Sequence, residues 1–185
     1  MTMRALLGPM IVVALLLAGG DAAAQGNPKS LPLAAFFGVF AGSGVAESDD
    51  DPAFRTAVRE STVEIRPAEG NGFSVAWSTT SRAGNPSQPK VKTKTTEAVF
   101  KSTARVGVFE SVKQGSPAAG GDYIWARLFG QTLTVYALTT GEDGRYEMQK
   151  WDRTLQGTGM ALVYTRLRDG EQVRIVKARL TKEGR

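Results

Sequence analysis

From Tyr123 to Leu180, short runs rich in β-branched and aromatic residues alternate with turn residues about every 10–13 positions, the pattern of consecutive antiparallel strands. The runs are Tyr123–Phe129, Thr132–Thr139, Arg145–Leu155, Met160–Arg168 and Gln172–Leu180. Gly130-Gln131 suits a type II′ hairpin turn and Asp169-Gly170 a type I′ turn. Gly141–Gly144 and Gly157–Gly159 make looser connections of the same kind. A two-residue turn fixes register, so the first hairpin is expected to set Trp125 opposite Tyr136, Arg127 opposite Thr134 and Leu128 opposite Leu133. One face then carries Tyr123, Trp125, Arg127, Thr134 and Tyr136, the other Ile124, Ala126, Leu128, Leu133, Val135 and Ala137. The aliphatic face must be buried. The aromatic face either lines a cavity or forms an amphipathic outer surface.

The first half alternates more weakly. Leu31–Phe37 makes one helical turn, and Gly38–Glu47 reads as a strand with Phe40, Gly42, Gly44 and Ala46 on one side. The glycines point to strong bending or close backbone packing. Ala57–Arg66 and Phe73–Thr80 alternate as half-buried strands, the second placing Trp77 beside Phe73 and Val75. Lys90, Lys92 and Lys94 alternate with Val91 and Thr93, so all three charges leave a strand on one side. That placement fits protection of an edge or rim better than a cationic face for phosphate or lipid headgroups, though both readings stand. Thr95–Lys101 and Arg105–Phe109 form a further hairpin around Ser102-Thr103, and Ser111–Asp122 is a long unpatterned segment. If a barrel has an open mouth, that segment and the Gly/Pro/Ser loop Arg82–Pro89 would rim it.

The start of the chain changes the picture more than overall composition does. Residues 1–24 hold Arg4, an apolar run of about 14 residues from Ala5 to Ala18, and small residues before Gln25, as in a secretory signal peptide. The run is shorter than the ~20 residues that span a bilayer. The expected organisation is therefore a signal peptide at 1–24, a flexible polar leader at 25–30 and one β-barrel domain at 31–185, periplasmic or secreted and without a transmembrane segment once the signal is removed. The chain has no Cys and no His, so an exported domain must rest on a hydrophobic core without disulfides. The usual general base and zinc ligand are missing too. The sequence carries no phosphate loop, nucleophile elbow or nucleic-acid motif. It reads as a non-enzyme with no catalytic residues, no metal site, no cofactor and no nucleic-acid partner, with a carboxylate-based isomerase or hydrolase, or Ser-Lys chemistry, left as a formal alternative. Asp49-Asp50-Asp51 lacks EF-hand spacing and reads as a solvated loop. The net charge of +5 favours weak contact with anionic envelope surfaces.

With a short helix leading into Phe37-Gly38-Val39-Phe40-Ala41-Gly42, the first strand resembles that of lipocalin-like (calycin) barrels. Those proteins show Gly-x-Trp there, with a late-strand basic residue packed over the ring. Gly38 matches, Phe40 stands in the Trp position, and Arg166 or Arg179 would be the basic residue. The resemblance implies an up-and-down barrel able to enclose a small ligand.

Together these readings predict an all-β antiparallel up-and-down barrel of 8–10 strands, lipocalin-like, with a short N-terminal helical turn. A β-sandwich is the alternative. The expected function is binding of a small hydrophobic or anionic molecule inside the barrel by Trp125, Tyr136, Tyr123 and Trp77, with Arg127 fixing an anionic end and Thr134 donating a hydrogen bond. The competing expectation is an envelope structural or interaction module whose barrel is filled by side chains.

Overall fold

The computed structural model describes residues 29–48, 56–83 and 90–184. The signal-peptide segment, the Asp49–Asp51 loop and most of the Arg82–Pro89 loop lie outside the described residues. After a 3-10 turn at Leu33–Phe36 the chain forms ten strands: β1 Gly38–Ser48, β2 Thr56–Ala68, β3 Gly72–Ala83, β4 Lys90–Ser102, β5 Val108–Ser111, β6 Tyr123–Phe129, β7 Thr132–Thr140, β8 Tyr146–Gln156, β9 Gly159–Arg168 and β10 Glu171–Lys182. Each pairs antiparallel with its neighbours in sequence, and β1 closes on β10, giving a closed up-and-down barrel. The sandwich alternative is thereby excluded.

Turn chemistry explains the meander. Asp169 and Gly170 both take positive φ, as a type I′ turn requires, and Gly130 takes φ 58 at the head of the β6–β7 turn. The β6–β7 register follows: Trp125 faces Tyr136, Arg127 faces Thr134 and Leu128 faces Leu133. In β1, a Cβ on Gly42 would stand 2.1 Å from the Arg179 carbonyl oxygen, so the glycine permits close approach of β10.

Two local expectations change. The strand expected at Arg105–Phe109 begins only at Val108. The Thr103 hydroxyl accepts from the Arg105 N–H (3.2 Å) and donates to the Val108 carbonyl (3.0 Å), extending the turn to Gly107. The end of the polar leader is also tied down: the Gly130 N–H donates to Ser30 Oγ (3.0 Å) and the Leu31 N–H to the Gly130 carbonyl (2.8 Å).

The core fills one end of the barrel. Phe36 from the 3-10 turn, Phe40, Phe73, Phe100 and Phe109 are buried there with Ile65, Leu133 and Val135. Phe73 stacks on Phe100 at 4.8 Å and meets Phe109 edge-on at 5.2 Å. The tight β2–β3, β6–β7 and β8–β9 turns close this end. The other end receives the longer connections, including Val112–Asp122. One seam is incomplete: β4 pairs with β3 along its length but with β5 only through Phe100, Lys101 and Ser102.

Candidate functional site

Inward positions change character along the barrel. Toward the closed end they are Phe, Ile, Leu and Val; toward the loop-rich end the same strands turn in Arg59 and Ser61, Thr79 and Ser81, Lys92 and Lys94, Gln149 and Trp151, Tyr164 and Arg174. Large apolar side chains stop partway up, and a cavity of about 430 Å³ remains above them. That volume is within the range of small-molecule sites.

An aromatic wall stands on one side of it. Trp151 on β8 packs 5.2 Å from Trp77 on β3 and 5.2 Å from Tyr164 on β9. The Tyr164 hydroxyl donates to Gln149 Oε1 (3.1 Å), and Gln149 Nε2 donates to Glu147 Oε1 (2.9 Å). Glu147 in turn pairs with Arg166 at 2.7 Å and Arg168 at 3.7 Å. This network fixes the orientation of the ring and consumes its one carboxylate between two guanidinium groups.

Deeper still lies Arg153. It is 0 % exposed, with its guanidinium 5.2 Å over the Trp77 ring. Its Nε, Nη1 and Nη2 have no hydrogen-bond partner among the described residues. Burial lowers its pKa to about 9, against a smaller upward pull from Asp152. Asp152 points to the outer face, where it accepts from Thr134 Oγ1 (2.8 Å) and pairs with Lys150 at 2.9 Å. Near the mouth, burial and then the charge of Arg174 lower the pKa of Arg59.

Of the residues expected to bind a ligand, Trp77 borders this cavity, whereas Tyr123, Trp125, Arg127, Thr134 and Tyr136 lie on the outside of the barrel. The physical reason is that the aliphatic set of the same strands, Ala126, Leu128, Leu133, Val135 and Ala137, is buried inside. The outer rings form their own cluster: Trp125 stacks on Tyr136 at 4.8 Å, Tyr123 lies 5.8 Å from Trp125, and Arg127 sits 4.6 Å over Phe129. Thr134 hydrogen-bonds Asp152 and is covered.

The lysine repeat of β4 turns Lys92 and Lys94 toward the cavity, on the strand whose upper edge has no strand partner among the described residues, so edge protection and a cationic lining coexist there. The basic group over Phe40 is neither Arg166, which engages Glu147, nor the exposed Arg179. It is Lys182, whose Nζ lies 5.5 Å from the ring centre. Arg153 went unnoticed in the sequence. The available signal was a basic residue on the inward side of the alternating run Gln149, Trp151, Arg153, Leu155. Among the described residues no group of side chains is arranged to hold a metal ion, and no helix is long and apolar enough to cross a membrane.

No protein-family model matches the chain, and no curated protein matches its sequence. By structure it is similar to the S-type phycobiliprotein lyase CPES from Guillardia theta, over 81 % of this chain and 89 % of that one, with 8 % identity and a TM-score of 0.37. A likeness this slight transfers neither ligand nor reaction. It does correct one expectation. On sequence the chain reads as a non-enzyme because missing His and Cys argue against common catalytic sites; that reading is not confirmed, and the neighbour itself is named a lyase. What the composition excludes is only chemistry that requires a His or Cys side chain.

Proposed function

We propose that the protein binds a small, partly apolar molecule inside a lipocalin-like barrel, in the cavity at its loop-rich end. The observation that carries this reading is the aromatic wall of Trp77, Trp151 and Tyr164 beside about 430 Å³ of space. Side chains fill only the opposite end of the barrel. Binding would draw on burial of ligand apolar area against the rings and on polar groups at the mouth that orient it. Native mass spectrometry of the chain purified from its own host tests it: a stoichiometric small-molecule adduct that is lost in Trp151→Ala is expected, and a clean apo mass under conditions that preserve the fold would overturn it.

A second reading, contact through the outer surface, is favoured by the stacked Trp125–Tyr136 pair and by Tyr123, which is 43 % exposed. Loss of attachment to isolated host envelopes in a Trp125→Ala/Tyr123→Ala variant, with cavity binding intact, would support it. Periplasmic or secreted localisation is likewise proposed, on the composition of residues 1–24. N-terminal sequencing of the protein from its host should begin at Gln25.

A further inference from the structure

Resting on the reading of the cavity as a ligand site, we infer that its ligand is a compact organic acid with a ring-containing body, the acid group lodged against Arg153 and the ring against Trp77 and Trp151. Arg153 is wholly excluded from water, and none of its three nitrogens has a hydrogen-bond partner among the described residues. A guanidinium presents five donors in a planar fork that matches a carboxylate, sulfonate or phosphate. Leaving that fork buried without an acceptor is costly, and such groups are commonly paired. The chain's own nearest carboxylate does not serve, because Asp152 sits on the opposite face, engaged by Thr134 and Lys150. Among the described residues, the face of Trp77 and the more distant charge of Asp152 are what offset the cation.

The surroundings point the same way. Arg59, Lys92, Lys94 and Arg174 border the cavity with Arg153, against Asp122 as the one carboxylate among its described lining residues. The charge of Arg174 adds to burial in disfavouring the Arg59 cation.

The shape then limits the acid. A long aliphatic tail would need a channel into the apolar end, but Phe36, Phe40, Phe73, Phe100 and Phe109 fill that end. The apolar part of the ligand is left with the rings beside Arg153, which favours a flat, compact body.

A matched pair of probes on one ring frame tests the inference: 1-anilinonaphthalene-8-sulfonate, which carries an acid group, and N-phenyl-1-naphthylamine, which does not. Binding is read from quenching of Trp77 and Trp151 in a Trp125→Phe background, so that the outer rings do not report. The sulfonate is expected to bind about tenfold or more tightly than the neutral probe, the difference one charge-assisted contact makes. Arg153→Met should erase that preference, and Arg153→Lys should restore part of it. Equal binding of the two probes by the unmodified site, or a preference that survives in Arg153→Met, would overturn the inference and leave the cavity a general apolar site. Failure of both probes to bind would instead remove the proposed function beneath it. Should Arg153→Met not fold, the comparison of the two probes on the parent protein still decides.

Discussion

The two ends of this barrel are made by the same strands, yet they obey different rules. At the closed end, inward positions carry phenylalanines and branched aliphatics, and Phe73, Phe100 and Phe109 pack ring on ring. At the loop-rich end the same alternation turns in arginines, lysines, serines and threonines around open space. The closed end is organised for stability. The open end carries charge repulsion at Arg59 and, among the described residues, an unpartnered guanidinium at Arg153, features that lower stability.

The sharpest way to break the comparison is at the closed end. Phe100→Ala should cost about 3–5 kcal/mol, because a fully buried ring stacked on Phe73 leaves a cavity that its neighbours cannot refill. Urea unfolding should show the loss, and a loss below about 1 kcal/mol would mean that this end is loosely packed.

Arg153→Met should have the opposite sign. Replacing a buried, unpartnered cation with an apolar chain of similar length is expected to stabilise the protein by about 1–4 kcal/mol at pH 7. The pH dependence follows from a folded-state pKa lowered to about 9, well below the ordinary arginine value. Between those values the unfolded chain holds more protons at this position, so this group's contribution to stability rises with pH. The penalty is fully present below about pH 9 and is relieved as pH rises through that value. The advantage of Arg153→Met should therefore narrow between pH 8 and pH 10.5, as monitored by thermal unfolding.

Smaller effects separate the inside from the outside. Thr134→Val removes a covered hydrogen bond to Asp152 and should cost about 1–2 kcal/mol in chemical unfolding. Trp125→Ala, on the outer face, should cost about 0.5–1.5 kcal/mol through loss of its stacking on Tyr136. It should leave occupancy of the cavity unchanged by native mass spectrometry. A loss of occupancy would show that the outer rings help to hold the ligand.

The sequence was most legible where local chemistry decides. Asp169-Gly170 and Gly130-Gln131 gave two hairpins and the register of β6 with β7, because turn geometry is written in the turn residues themselves. Which sheet face turns inward was harder. In β6 and β7 one face is aliphatic and the other aromatic, and both are apolar enough for an interior. Barrel closure buries the aliphatic one, leaving Trp125 and Tyr136 outside. Lys92, Lys94 and Arg153 were obscure for the converse reason. Charged residues read as solvent-facing, and only the three-dimensional closure shows that these lie on the inner surface. The position of Lys182 over Phe40 follows from the pairing of β1 with the last strand, a contact between the two ends of the domain that no local pattern announces.

The incomplete seam between β4 and β5 has a kinetic meaning. Above Val99, whose carbonyl accepts from the Val112 N–H (2.8 Å), one side of β4 has no strand partner among the described residues, while its other side is paired to β3 as far as Lys90. Amide protons in this stretch should divide by parity, those pointing to β3 exchanging slowly with solvent deuterium and those pointing to the gap exchanging within the dead time. Lys92 and Lys94 border the cavity from this same stretch, so a sideways swing of upper β4 would widen the cavity without unlocking the phenylalanines beneath it. A ligand sealed inside would then leave at a rate set by the fraying of a single strand, on a timescale separate from unfolding of the barrel.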